Sequence, residues 1–394
     1  MPHLLRRPLP CLMLIVASAL LASCGDSPDQ PFAFAPESAP DALGPYAVGH
    51  TRFEAIDVTR DNRALPLELW YPVDPGDEVG TDPVGYPLAA GIDLASDNAF
   101  SEPAVSESAP RNLVVFSHGY GGINTASVVL METLASHGFI VASPEHVGNS
   151  QSSSEDDFDT AAANRVPDVS FVIDALIARG DDPDDLLYQR VEPLSVGVVG
   201  HSFGGMTAIG MAAGWAGAAP DARVSAIVPI SAVVVPDLQS DERSGPNAGF
   251  TPEQMGSITV PTLLLGGTAD INVFIENNAI GFEQLTAAPS AYRVDISGAN
   301  HTHFANVCDI GNLLIDLGIG QDSWPLIGAE ALLEPYATTC SPEAFPIDEV
   351  VRLQNLFVTA FFKRYLLDDA RYQQYLTQEF AMTEEAITFL AKND

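Results

Sequence analysis

The chain has 394 residues, 46% of them hydrophobic and 18% charged, which excludes a disordered or fibrous protein and suits a large globular domain. Lys+Arg number 17 against 52 Asp+Glu, a formal net charge of −35. A surface so acidic is repelled by nucleic acid and by anionic membrane surfaces, so nucleic acid is not an expected partner.

The N-terminus reads as a targeting segment. Arg6 and Arg7 precede an apolar run from Leu9 through Leu21 that ends in Leu21-Ala22-Ser23-Cys24-Gly25. A basic start, a short apolar core and small residues at its end make a secretory signal over 1–23, and the run is short for a membrane-spanning helix. Leu-Ala-Ser-Cys is also similar to a bacterial lipobox, in which Cys24 becomes the lipidated first residue; an ordinary signal peptide is the alternative. The Pro/Ser/Ala/Asp-rich stretch that follows reads as a flexible tether over 24–43. These signals predict an exported bacterial lipoprotein of the cell envelope, held to the membrane through Cys24, or a secreted protein if not lipidated.

The remainder, 44–394, reads as one domain. Phe53–Val58 and Leu67–Tyr71 alternate well enough for two strands. Residues 73–110 are rich in Gly, Pro, Asp and Ser and read as a long loop inserted in the domain. Leu113–Phe116 is a short apolar run, as expected of a strand buried on both faces. A helix is expected over Val128–His137, a buried strand over Phe139–Ala142, and a helix from Pro167 to Arg179 with proline in its first turn. Val196–Val199 is a strand leading into a helix near Met206–Trp215. Further strands are expected at Val224–Val228, Thr262–Leu265 and, as the last, Tyr292–Ile296. The final helix spans Ile347–Leu366. Strands alternating with helices predict an α/β fold with a mostly parallel central sheet covered on both faces.

The strongest chemical signal is Gly200-His201-Ser202-Phe203-Gly204, a G-x-S-x-G run set between a buried strand and a helix. In that context the glycines permit a sharp turn that lifts a nucleophilic Ser202 above the sheet. The turn also aims the Phe203 N–H at a developing oxyanion. Ser117-His118-Gly119-Tyr120-Gly121-Gly122 follows the Leu113–Phe116 strand, where this architecture takes its other oxyanion donor; the Tyr120 N–H is the candidate, with its ring as a wall of the acyl pocket. A general base must follow a late strand. His301 is preferred, with His303 as the neighbouring alternative. The carboxylate that holds its tautomer is expected at Asp270, after Thr262–Leu265, with Asp237 as the rival. The order Ser202, Asp270, His301 is that of α/β-hydrolases. Such chemistry needs no metal or organic cofactor, and the cysteine spacing is unlike a zinc site. Cys308 and Cys340 are the two cysteines left after the signal. An oxidising compartment predicts that they pair, free buried thiols being the alternative.

These motifs resemble a known family. Gly44–Gly49, Leu69-Trp70-Tyr71-Pro72, Phe116-Ser117-His118-Gly119, Glu145-His146 and Arg165–Phe171 are similar to the bacterial platelet-activating-factor-acetylhydrolase and dienelactone-hydrolase-like family of the α/β-hydrolase superfamily. Leu134–Phe139, the Gly200–Gly205 run and the Asp270–His301 segment are also similar to bacterial cutinases and polyester hydrolases. The resemblance implies a serine ester hydrolase acting on short-chain acyl or phospholipid acetyl esters, with a cutinase-like polyester hydrolase as the alternative. Ile230–Val233 carries no carboxylate where animal platelet-activating-factor acetylhydrolases hold their acid, so the acid falls to Asp270, as in cutinases. Ser202 excludes the cysteine chemistry of true dienelactone hydrolases. A second insertion, 308–345, is expected to cap or flank the site. The same triad also serves amidases and peptidases, and a non-catalytic lipid-anchored binding protein is the non-enzymatic alternative.

Overall fold

A computed structural model describes residues 38–89, 91–109, 112–238 and 245–392. The signal segment, Cys24 and most of the tether lie outside the described residues. Among the described residues eleven strands form one sheet. In chain order the elements are β1 (Ala47–Asp57), β2 (Arg63–Val73), β3 (Pro83–Ala89), β4 (Ile92–Ser101), β5 (Asn112–Ser117), α1 (Val128–Ser136), β6 (Ile140–Pro144), α2 (Phe158–Asp181), β7 (Glu192–His201) and α3 (Phe203–Ala213). They continue with β8 (Val224–Ile230), α4 (Pro252–Gly256), β9 (Thr262–Gly267), α5 (Glu276–Gln284), β10 (Ala291–Ile296), α6 (Val307–Asp316), α7 (Leu333–Thr339), α8 (Ile347–Leu366), α9 (Gln378–Ala381) and β11 (Ile387–Lys392).

The sheet order is β11-β10-β9-β8-β7-β5-β6-β2-β1-β4-β3. The six central strands, β10 through β6, run parallel, and antiparallel pairings close both ends. Parallel strands buried on both faces need apolar side chains at every position, and β5 supplies them. Leu113 and Val115 join the core under α2 and α3, with Val169, Ile173, Val198 and Ile209. Val114 and Phe116 join the core under α1 and α8, with Leu130, Leu134, Phe357 and Phe361.

The structure departs from the sequence expectations in three places. Residues 73–110 are not a loop: β3 and β4 form a hairpin that extends the sheet beyond β1. The prolines at 83 and 87 are tolerated because β3 is an edge strand. The hairpin is fastened by a buried Glu132 on α1, which accepts hydrogen bonds from Tyr86 (2.7 Å), Ser96 (2.6 Å) and Asn98 (3.1 Å). Second, α2 begins at Phe158, not Pro167. Asp157 caps it by accepting the Thr160 N–H at 2.9 Å, and Pro167 lies inside the helix. Third, β10 and α8 are not the last of their kinds. The chain returns through α9 to β11, which pairs antiparallel with β10.

The second insertion is helical. α6 and α7 are joined by a disulfide between Cys308 and Cys340, with Cα atoms 5.6 Å apart. The segment is bonded to the turn at 300–304: Asn300 Nδ2 donates to the Thr338 carbonyl at 3.2 Å, and His303 Nε2 to the Phe345 carbonyl at 2.9 Å. No helix among the described residues is long and apolar enough to cross a membrane.

Candidate active site

Ser202 stands between β7 and α3 with φ 59° and ψ −119°, a left-handed conformation that costs a non-glycine residue on the order of 1–3 kcal/mol. The packing around it leaves no room for a relaxed turn. A Cβ at Gly204 would lie 1.7 Å from the Ser117 carbonyl oxygen, and one at Gly200 would lie 2.2 Å from the Gly204 oxygen. β5 and the elbow therefore meet backbone to backbone. Phe203 is the first residue of α3, so its N–H has no acceptor within the helix.

Asp270 follows β9 and is 3% exposed. One carboxylate oxygen accepts the N–H groups of Asn272 (2.9 Å) and Val273 (2.8 Å); the other is 2.7 Å from His301 Nδ1. Burial pushes the carboxyl up, but the His301 hydrogen bond and charge and the two amides outweigh it, so it stays below the usual carboxylate value. An ionised Asp270 holds the proton on His301 Nδ1 and leaves Nε2 as the basic nitrogen.

His303 is differently placed. Its Nδ1 receives the Asn300 N–H at 3.0 Å, and its Nε2 donates to Phe345, so both ring nitrogens serve the backbone. His201 packs against the His301 ring, centroids 4.6 Å apart. Burial, and then the His301 charge, push His201 down to about 3, so no second cation competes beside His301.

Ser202 and His301 line one cavity of about 430 Å³ together with Tyr120, Phe203, Met206, Val233 and Val273. The Tyr120 ring meets the Phe203 ring edge-on at 5.3 Å. A neighbouring cleft of about 630 Å³ shares Asn272 and His301 and runs along the second insertion past Thr338 and Phe345. The structure thus brings Ser202, His301, Asp270, Tyr120 and Phe203 together. Cys308 and Cys340 form the disulfide of the second insertion and do not line this cavity. Among the described residues, no group of three or more His, Cys, Asp or Glu side chains is placed to hold a metal ion.

The sequence reading missed a second polar centre beneath the Ser117–Tyr120 loop, built from Asn149, Arg165, His146 and Asp168. Its legible signals were Glu145-His146 and Arg165–Phe171, which the sequence analysis quoted only for a family likeness, and the charged residues within the apolar spacing of α2.

Buried histidines set an expectation for acid. Burial lowers His118, His137, His146, His201 and His303, with His137 and His146 brought to about 4. Their folded values lie below the unfolded value near ~6.5, so between about pH 6.5 and 4 the unfolded chain binds more protons. Stability therefore falls as pH drops through that window. The lowered carboxylates, Asp270 and Asp168, withdraw their contribution only below the usual carboxylate range. Denaturant unfolding at pH 7.5 and pH 5 is expected to differ by several kcal/mol, in favour of the higher pH. Equal stabilities would contradict the neutral buried state of these rings.

The parallel sheet, the crossovers on both faces and the Ser202 turn between a strand and a helix define an α/β-hydrolase fold. A family model described as Chlorophyllase matches residues 103–274, fewer than half of the chain, and the protein is similar to that family over those residues. The match spans the Ser117–Tyr120 loop, the Ser202 elbow and Asp270, and stops before His301. No curated protein matches the chain.

Proposed function

We propose that the protein is a serine carboxylic-ester hydrolase that works through an acyl-enzyme on short-chain acyl esters, phospholipid acetyl esters among them. The observation that carries the reading is the 2.7 Å hydrogen bond that His301 Nδ1 donates to buried Asp270, the His301 ring sharing one cavity with the strained Ser202. The likeness over residues 103–274 to a family described as Chlorophyllase supports ester chemistry.

In this mechanism His301 Nε2 takes the Ser202 proton as Oγ attacks the ester carbonyl. The Tyr120 and Phe203 N–H groups receive the oxyanion, each worth about 3 kcal/mol. The C–O bond to the alcohol breaks, and His301 gives its proton to the leaving oxygen. Water, deprotonated by His301, then attacks the acyl carbon. The acid leaves and the proton returns to Ser202. Met206, Val233 and Val273 give the acyl group an apolar wall. Export, and a lipid anchor at Cys24, belong to the same proposal and rest on the N-terminal sequence.

The test is hydrolysis of p-nitrophenyl esters, acetate through palmitate, by the soluble protein starting after Cys24, beside Ser202→Ala. Turnover fastest on the short esters and abolished in the variant is expected. A folded protein inert at every chain length would favour a binding role instead.

A further inference from the structure

A second Ser–His–Asp chain lies wholly inside the protein. Ser117 Oγ is 3.0 Å from His146 Nε2, and His146 Nδ1 is 2.9 Å from Asp168 Oδ2. All three residues are 1% exposed or less, so no substrate reaches them. Asp168 also pairs with Arg63 at 2.8 Å and Arg60 at 2.7 Å. It fixes the His146 proton on Nδ1, so Nε2 accepts from the Ser117 hydroxyl. The Ser117 oxygen is then left to accept from Arg165 Nη1 at 3.3 Å.

Arg165 is the end of this chain and its purpose. It is fully buried, yet among the described residues no carboxylate pairs with it. Its Nη1 and Nη2 groups donate to the carbonyl oxygens of His118 and Gly119 (3.0 Å to the latter), to Asn149 Oδ1 (2.6 Å) and to Ser117. Its guanidinium carbon sits 4.8 Å above the Phe203 ring. A cation buried with no carboxylate in contact is costly, Asp168 acting on it only through space, so the contacts that retain it call for an explanation.

The Gly119 carbonyl and the Tyr120 N–H belong to one planar trans peptide and point in opposite directions. The Gly119 oxygen is turned inward, where it accepts from Arg165, from His118 Nδ1 at 2.8 Å and from the Gly122 N–H at 3.2 Å. The Tyr120 N–H is thereby turned outward. Gly119 lies against the nucleophile, since a Cβ there would be 3.5 Å from Ser202 Cβ.

We propose that Arg165 is a positioning residue for the oxyanion hole. It sets the Gly119–Tyr120 peptide plane so that the amide faces Ser202, and it braces the Phe203 ring on the residue that carries the second donor. The buried Ser117–His146–Asp168 chain is the frame that orients it, not a second nucleophile. A charge on the Gly119 oxygen also polarises the peptide, strengthening the Tyr120 donor. The inference rests on the ester-hydrolase reading above.

The test uses Arg165→Met, Arg165→Lys and Asn149→Ala in the protein starting after Cys24. Three quantities are compared: kcat and KM for p-nitrophenyl acetate, and the affinity for an aryl trifluoromethyl ketone, whose adduct with the serine carries an oxyanion. Arg165→Met is expected to lower kcat about 10²-fold, as loss of one oxyanion donor does, with KM little changed. The ketone affinity should fall by the same factor, and Arg165→Lys should recover part of both. A general loosening of the fold would not move kcat and ketone affinity in step. If Arg165→Met does not fold, Asn149→Ala carries the test, with an expected loss of about tenfold in kcat. A folded Arg165→Met, or failing that a folded Asn149→Ala, with wild-type kcat and ketone affinity overturns the inference alone. A wild-type protein without Ser202-dependent turnover overturns the ester-hydrolase reading, and the inference falls with it.

Discussion

Replacing Asp270 by asparagine is expected to leave the protein folded and to lower kcat for p-nitrophenyl acetate about 10⁴-fold. The cause is a tautomer. In the native site one carboxylate oxygen is held by the Asn272 and Val273 amides, and the other takes the His301 Nδ1 proton. Those two amides demand an acceptor, so the asparagine carbonyl takes that side and its NH₂ turns toward His301. The imidazole then accepts at Nδ1 and carries its proton on Nε2, where it cannot receive the Ser202 proton. Volume and burial change little, so circular dichroism and the unfolding midpoint should stay close to the wild type. A folded variant with near-native kcat would remove Asp270 from the role.

The second large effect is on folding. Gly204→Ala is expected to cost about 4 kcal/mol or more, the range of mutations that force a clash in a closed core. The added methyl would sit 1.7 Å from the Ser117 carbonyl, with the Ser117 carbon at 2.4 Å and the His118 carbonyl at 2.9 Å. All three are backbone atoms and cannot swing aside. Relief requires β5 to part from α3, which opens both cores. Gly320→Ala is the control: nothing lies within 4 Å of its added carbon, and a change within about 0.5 kcal/mol is expected. Denaturant unfolding of the two variants checks the pair. Equal stabilities would mean that the elbow is less tightly packed than its geometry implies.

The central sheet was legible because burial on both faces writes a distinctive signal. Leu113–Phe116 and Leu263–Leu265 are unbroken apolar runs, Val196–Val199 is interrupted only by Gly197, and each lies in the core of an observed strand. α8 begins and ends where its apolar spacing does, at Ile347 and Leu366. The edges were not legible. β3 buries only Val84 and Tyr86 and carries two prolines, and β4 buries only Ser96 and Ala99, which reads as a turn-rich loop unless a partner strand is known. β11 is six residues long with one buried position, Phe389, too weak a pattern to separate from a tail. Pro167 misled because proline marks helix starts more often than helix interiors. The Ala161–Ala163 run before it favours helix strongly enough to carry α2 through.

The candidate site divides along the same line. Ser202, Asp270, His301, Tyr120 and Phe203 sit at strand ends, where motif and position coincide, and the sequence names all five. Arg165, Asn149 and Asp168 act through contacts across long stretches of chain. Arg63 reaches Asp168 across 105 residues and Arg165 reaches His118 across 47. Local patterns single out Glu145-His146 and Arg165–Phe171 but not how they pair, so the connections of that centre emerge only from the folded chain.

The disulfide between Cys308 and Cys340 turns the chain between them into a covalent ring. A protease that cuts within that ring leaves one molecule instead of two. Exposed side chains such as Leu317 and Leu326 make the ring an accessible target. A nicked protein would keep both ends of the segment beside His301 and would run as a single band until reduced. An exposed segment beside the candidate site is thus one that a single cut cannot detach while the disulfide stands.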